Sequence, residues 1–159
     1  MIELALRVWG LQTAMAAVCD TRVRKMQKVI LSIKGSNRFG EEQDDIEMLT
    51  EAKLFKEGDQ FTLEYEDEGT PATVTTLVVE KGHIIMRKNG EIHTQFIFEE
   101  AKLFEGVYCT PFGNLNVSVL PTLVYSEMNE QEGWVDLEYI LNIAGNQVVN
   151  RLNLRYRNN

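Results

Sequence analysis

The sequence is poor in the residues from which catalytic and metal sites are usually built. It contains two cysteines and two histidines among 159 residues. It has few serines, no Gly-x-Ser-x-Gly motif and no Gly-rich phosphate-binding loop. A nucleophile with a base and an orienting group is therefore not recognisable. We name no catalytic residue and expect no cofactor, and an enzyme of unknown reaction is the weakest functional hypothesis.

Long apolar stretches and positive charge are also in short supply. The apolar stretch Leu11–Cys19 is preceded by a single basic residue, Arg7, which is unlike a secretory signal, and no run is long enough to span a membrane. The 16 Lys and Arg residues face 24 Asp and Glu residues, a net charge of −8 that repels phosphate backbones and anionic lipids. The sequence predicts a cytoplasmic protein with neither nucleic acid nor membrane as a partner, and two cysteines make a structural disulfide unfavourable.

The two histidines lie on one predicted hairpin. Asn89-Gly90 is typical of a two-residue type I′ turn, which would place Met86 opposite His93. In that register His83 and His93 project from opposite faces of the hairpin, because successive residues of a strand alternate between faces. The two imidazoles could then not share a zinc ion, and we expect no metal site.

What the sequence does contain is alternating hydrophobicity. From Met26 onward, short runs of alternating apolar and polar residues recur, separated by turn residues. These runs predict an all-β fold, an antiparallel meandering β-barrel of about eight to ten strands, and Gly145-Asn146 predicts a hairpin between the last two. The acidic residues 40–45 are predicted to form a solvated loop.

The first 25 residues differ from the rest. They are rich in Ala and Leu, with apolar residues at helical spacing. We therefore divide the chain into an N-terminal appendage of residues 1–25, helical or disordered, and a barrel domain of residues 26–159.

Two places favour a binding role. In the predicted hairpin register, Arg87 shares a face with Ile85 and Phe96, so its guanidinium would point into an apolar interior and require an anionic partner. The segment Tyr108-Cys109-Thr110-Pro111-Phe112-Gly113 interrupts the alternation and predicts a sharp corner between strands. Cys109 has no His or Lys nearby in the sequence, which favours an inert thiol.

A family resemblance rests on several of these residues. The motifs are Arg87-Lys-Asn-Gly90, Phe98, the Tyr108–Gly113 corner, Gly133-x-x-x-Leu137-x-Tyr139 and Asn150-x-Leu152-x-Leu154. Together they resemble the YwiB-like family of uncharacterised bacterial proteins, over approximately residues 26–159. The resemblance implies a calycin-like, lipocalin-like barrel, a group in which many members hold a small apolar molecule. It implies no known activity.

The leading hypothesis is a non-enzymatic barrel that binds a small amphipathic or acidic ligand. The candidate ligand-binding residues are Arg87, Tyr108, Thr110 and Tyr139. The alternative hypothesis is a barrel filled by its own side chains, acting as a protein-interaction module or a homodimer.

Overall fold

The structure is a computed structural model that describes residues 24–67 and 72–158. The predicted appendage of residues 1–25 lies almost entirely outside these ranges, and the first strand begins at Arg24. The described residues form ten strands: β1 Arg24–Phe39, β2 Glu42–Glu57, β3 Gln60–Glu66, β4 Val74–Glu80, β5 His83–Asn89, β6 Thr94–Phe98, β7 Phe104–Thr110, β8 Gly113–Met128, β9 Glu132–Ile143 and β10 Asn146–Asn158.

The ten strands form one antiparallel sheet in the order β6-β5-β4-β3-β2-β1-β10-β9-β8-β7. Every ladder joins neighbours in sequence except that between β1 and β10, which pairs ten residues from Val29 with Asn158 to Arg38 with Val149. The sheet curls into a nearly closed barrel, as the alternating pattern predicts. No helix in the described ranges is long and apolar enough to cross a membrane.

Backbone pairing between neighbouring strands of the barrel is sparsest between β6 and β7, the first and last strands in the sheet order. Within the described residues these strands share one backbone bridge, in which His93 and Cys109 exchange two hydrogen bonds of 3.0 and 2.9 Å. The connection between the strands contributes to the gap, because the amide of Ala101 donates to the carbonyl of Pro121 on β8. We call this gap between β6 and β7 the seam.

Alternation along the strands separates the interior from the outer face. Every second residue is buried, as in Val29, Leu31 and Ile33 of β1 or Val135 and Leu137 of β9. These side chains form one continuous apolar core with those of the other strands. The period of two in the sequence therefore reports correctly which face is buried.

The predicted register of the β5–β6 hairpin is wrong. The observed ladder pairs Lys88 with Thr94 and Met86 with Phe96, so the loop is longer than two residues. Neighbouring segments hold this loop: the amide of Ile92 donates to Thr73 Oγ1 at 3.5 Å, and Gly90 packs so closely on the backbone at Thr73 that a Cβ would not fit. Tertiary contacts thus override the local preference of Asn-Gly for a tight turn.

The corrected register changes the interpretation of the histidines. His83 precedes the inward-facing Ile84, and His93 precedes the inward-facing Thr94, so both imidazoles lie on the outer face, at opposite ends of the hairpin. The prediction that they project from opposite faces is therefore wrong.

The acidic segment of residues 40–45 is mostly strand rather than loop. Only Gly40 and Glu41 form the turn, and Glu42 already pairs with Phe39. The predicted hairpin between the last two strands is confirmed: Ile143 pairs with Asn146 around a two-residue turn. In that turn Ala144 and Gly145 both have positive φ, as a type I′ turn requires.

Candidate functional site

One end of the barrel interior is polar. Four inward-facing residues lie side by side across four neighbouring strands, in the order Tyr65, Thr75, Lys88 and Thr94, each directly paired with the next. Directly paired residues of antiparallel strands share a face. The rows at the other end of the same strands are apolar, with Leu63 beside Leu77 and Leu77 beside Met86. We call the polar residues, together with Asp67, Tyr108 and Tyr139, the polar end.

An ion pair lies at the polar end. The ammonium group of Lys88 contacts the Asp67 carboxylate, and the side chains are only 22% and 18% exposed. Thr94, next to Lys88, donates its hydroxyl hydrogen to the carbonyl of Val107 at 3.0 Å, across the seam. A charged pair that is largely shielded from water interacts more strongly than a pair on the surface, and each of its members is costly to leave unpaired.

Three tyrosines belong to the polar end. Tyr108 of β7 stacks on Phe96 at 6.5 Å between ring centroids, and Tyr139 of β9 packs on Phe98 at 4.9 Å. Burial raises the pKa of Tyr108, and the negative charge of Asp67 adds to the rise. Burial raises the pKa of Tyr139 to about 12, with a smaller contribution from Tyr108. Both phenols remain neutral hydrogen-bonding groups at physiological pH.

The third tyrosine, Tyr65, lies beside a hydroxyl that makes no regular hydrogen bond. Burial raises the pKa of Tyr65 most strongly, Asp67 adds to the rise, and the neighbouring Thr75 hydroxyl partly offsets it. Thr75 is fully buried; its hydroxyl interacts with the Tyr65 phenol, but no described atom meets Oγ1 with the regular distance and angle of a hydrogen bond. A buried hydroxyl without a regular hydrogen bond costs free energy and is uncommon, so Thr75 is a candidate for a hydrogen bond with a ligand.

Two of the four predicted site residues, Tyr108 and Tyr139, therefore face the interior at the polar end. The prediction that Arg87 points inward is wrong. Its side chain is exposed on the outer face, where Nε donates to Gln95 Oε1 at 2.9 Å. The shift of the hairpin register explains the error, because Arg87 is paired with Gln95 and not with an apolar residue.

Thr110 has a local structural role at the corner between β7 and β8. Its hydroxyl donates to the carbonyl of Gly113 at 2.8 Å and accepts from the amide of Phe112 at 3.2 Å. These bonds stabilise the turn in the way typical of Thr side chains. The sharp corner predicted from Pro111 and Gly113 is thus observed, as a tight connection in which Thr110 pairs with Gly113.

The structure also places a histidine beside Cys109. His93 is the direct cross-strand partner of Cys109, and directly paired residues share a face, so thiol and imidazole are neighbours on the outer face. The sequence separation of 16 residues concealed this contact. No group of three or more His, Cys, Asp or Glu side chains within residues 24–67 and 72–158 could hold a metal ion.

Sequence reasoning missed Tyr65, Asp67, Thr75 and Lys88 as site residues. The spacing Ile84-x-Met86-x-Lys88 does place Lys88 on the buried face, but the assumed Asn-Gly turn assigned it to the end of the hairpin. Asp67 follows Tyr65 by two residues and so shares its face, which the acidic run around it obscured. A lysine and a carboxylate that both continue an apolar face were the signal that could have located the polar end.

Comparisons with known proteins agree with this architecture. The crystal structure of the ywiB protein from Bacillus subtilis superposes with a TM-score of 0.79, covering 88% of this chain and 98% of that chain at 17% sequence identity. That likeness shows the fold, and it confirms the resemblance noted from the motifs. No curated protein matches the sequence. A family model described as a domain of unknown function, DUF1934, matches residues 31–155. Because this match spans most of the sequence, the chain belongs to the DUF1934 family.

Proposed function

We propose that this protein is a non-enzymatic, cytoplasmic, calycin-like barrel that binds a small amphipathic or acidic ligand at the polar end. The observation that carries the proposal is the fully buried Thr75 hydroxyl, which lies beside the Tyr65 phenol but makes no hydrogen bond of regular geometry within the described residues. A ligand atom that accepts or donates a hydrogen bond would satisfy it. Binding sites commonly combine apolar walls with a few convergent polar groups of this kind.

The chemistry of the polar end agrees with an amphipathic ligand. The phenols of Tyr65, Tyr108 and Tyr139 can each donate and accept hydrogen bonds, and Lys88 can donate to an anionic group. The rings of Phe96 and Phe98 adjoin these polar groups and can contact an apolar body. A molecule with an acidic or polar group on an aromatic or aliphatic skeleton therefore matches the lining better than a uniformly polar solute.

The test uses a probe with this chemistry, 1-anilinonaphthalene-8-sulfonate (ANS). Its fluorescence is titrated with the full chain and with Lys88→Met, Tyr108→Phe and Tyr139→Phe. Because a lost hydrogen bond to a ligand costs about 1–1.5 kcal/mol, we expect affinity to fall about 5- to 12-fold in each variant. Native mass spectrometry of protein purified without refolding would show any small molecule that co-purifies.

Tyr125→Phe is the matched control, because Tyr125 is exposed on β8 and donates to Glu127 Oε2 at 2.9 Å on the surface. It should bind ANS like the unmodified chain. If Tyr108→Phe, Tyr139→Phe and Lys88→Met all bind ANS as well as this control, the probe binds elsewhere and the proposal is wrong.

A second candidate, homodimerisation, is favoured by one feature of the outer face. Leu49 of β2 is 69% exposed and, with Ile30 and Trp134, lines a groove of about 450 Å³ that also contains Arg155 and Arg157. Tryptophan and arginine beside exposed aliphatic residues are typical of protein interfaces. Sedimentation velocity tests this candidate: a dimer that Leu49→Glu converts to a monomer supports it, and a monomer at all concentrations contradicts it.

A further inference from the structure

The seam contains a groove that reaches from the outer face to the polar end. The groove has a volume of about 380 Å³. Its lining includes outward-facing residues, Arg87 and Gln95, and also inward-facing residues, Lys88 and Thr94. Because Lys88 and Thr94 also belong to the polar end, the groove adjoins the polar end at the place where β6 and β7 lack a ladder.

We propose that the seam is the entrance through which the ligand reaches the polar end, and that it selects small molecules carrying an anionic group. This inference rests on the proposed function and adds the route and the charge of the ligand. Gly106 also lines this groove: a Cβ added there would meet the ring of Phe104 at 2.9 Å and the carbonyl of Gln95, across the seam, at 3.6 Å, so a larger side chain would obstruct the seam.

The charge of the lining supports the choice of an anion. Arg87, Lys88 and His93 line the groove, and none of the described residues that line it is acidic. This contrasts with the whole chain, in which acidic residues outnumber basic ones by 24 to 16. It contrasts also with the groove of about 510 Å³ beside Tyr65, whose lining combines three glutamates with two lysines. A local basic lining on an acidic protein concentrates anions at that place.

The two parts of the proposal predict different kinetic effects. A charge at the rim of a route changes mainly the association rate and its dependence on salt. A side chain that narrows the route slows entry and exit together and leaves the equilibrium affinity nearly unchanged, because it does not contact the bound ligand. A residue of the binding site, in contrast, changes the affinity itself.

Stopped-flow fluorescence with two probes separates these effects. ANS is anionic, and N-phenyl-1-naphthylamine has the same aromatic body without the sulfonate. In Arg87→Glu we expect the association rate of ANS to fall by about threefold or more and that of the neutral probe to change little. If ANS binds and the neutral probe does not, selection of an anion is equally supported. If Arg87→Glu slows the association of both probes equally, selection of an anion is contradicted.

Gln95→Trp tests the route, because Gln95 is exposed on the outer face and a tryptophan there would cover the groove without disturbing the core. We expect slower association and slower dissociation of bound probes at nearly unchanged affinity. Gly106→Val is a second obstruction, placed on the opposite side of the seam. Unchanged association and dissociation rates in both variants would show that ligands do not enter through the seam.

Arg155→Glu is the control for charge. It makes the same change in net charge as Arg87→Glu, but Arg155 lies on β10 in the groove beside Leu49. If Arg155→Glu slows ANS as much as Arg87→Glu, the effect is one of overall charge and the proposal is wrong. If Lys88→Met weakens binding while no seam variant alters the rates, the site is retained and only the entrance is refuted. Absence of ANS binding refutes the proposed function itself, and the entrance with it.

Discussion

The two ends of the barrel interior are built on the same strands but from different chemistry. On β3 and β4, Leu63 and Leu77 are directly paired and fully buried. Two residues after Leu63 and two before Leu77, Tyr65 is paired with Thr75. The apolar end gains stability from burial and close packing. The polar end buries hydroxyl groups and an ion pair, which costs free energy unless each group is satisfied. The difference separates the part that stabilises the barrel from the part at which we propose that a ligand binds.

The ends also differ in how they are sealed. At the apolar end, the ring of Tyr156 covers Gly133, and its hydroxyl donates to the carbonyl of Asn129 at 2.5 Å. Near the polar end, β6 and β7 are joined by the His93–Cys109 bridge and by the bond from Thr94 to Val107. One end is therefore closed by packed side chains, whereas the wall beside the other end lacks a backbone ladder at the seam.

The largest effect is expected from a cavity at the apolar end. Leu63→Ala removes a fully buried side chain, and such substitutions typically lower the free energy of unfolding by about 2–5 kcal/mol. Urea denaturation followed by circular dichroism measures the loss. Leu49→Ala is the matched control on β2, because Leu49 is exposed, and it should change stability by less than about 0.5 kcal/mol. Equal losses in the two variants would contradict the placement of the core.

A smaller loss is expected from Gly133→Ala, which tests the seal at the apolar end. A Cβ at this position would lie 2.5–2.6 Å from atoms of the Tyr156 ring, so the ring must move. Overpacking of this kind costs about 1–3 kcal/mol. Gly35→Ala is the control, because the nearest atoms to its added Cβ lie at 3.9 Å. Thermal unfolding that gives the same midpoint for both variants would show that Tyr156 does not cover Gly133.

The apolar end could be predicted from the sequence, and the polar end only in part. Alternation identifies Leu31, Leu63 and Val135 as buried, because burial of one face imposes a period of two on every strand. Tyr108 and Tyr139 were identified, but Lys88 was not, because the register of its hairpin is determined by Thr73 and Cys109, residues distant in the sequence. The seam could not be predicted at all, since it is a missing ladder between two strands that each have normal strand composition.

The buried tyrosines of the polar end predict that the folded protein loses stability at alkaline pH. An unfolded tyrosine ionises near pH 10, whereas burial raises the pKa of Tyr139 to about 12. Above pH 10 the folded state therefore retains a proton that the unfolded state loses. The free energy of unfolding should be unaffected by this group below pH 10 and fall above it, by up to about 1.4 kcal/mol per pH unit.

Urea denaturation between pH 8 and 11 measures this dependence. Tyr139→Phe should show a shallower fall above pH 10, because its ring cannot ionise. Tyr125→Phe, altered at an exposed position, should follow the unmodified chain more closely. An identical fall in Tyr139→Phe and the unmodified chain would show that this phenol is not shielded in the folded state.

The smallest effect on stability, and the sharpest distinction between the two ends, is expected from Thr75→Val. Valine has nearly the shape of threonine and removes the fully buried hydroxyl that makes no hydrogen bond of regular geometry. Replacing an unsatisfied polar group with an apolar one of the same shape is neutral or stabilising, here by up to about 1 kcal/mol. At a position where the hydroxyl is bonded in the folded chain, the same substitution would destabilise. If the hydroxyl is reserved for a ligand, Thr75→Val should also bind ANS more weakly while its unfolding midpoint is maintained or raised. If Thr75→Val loses stability and retains its affinity for ANS, this hydroxyl stabilises the fold and does not bind the ligand. The polar end would then differ from the apolar end in composition while sharing its structural role.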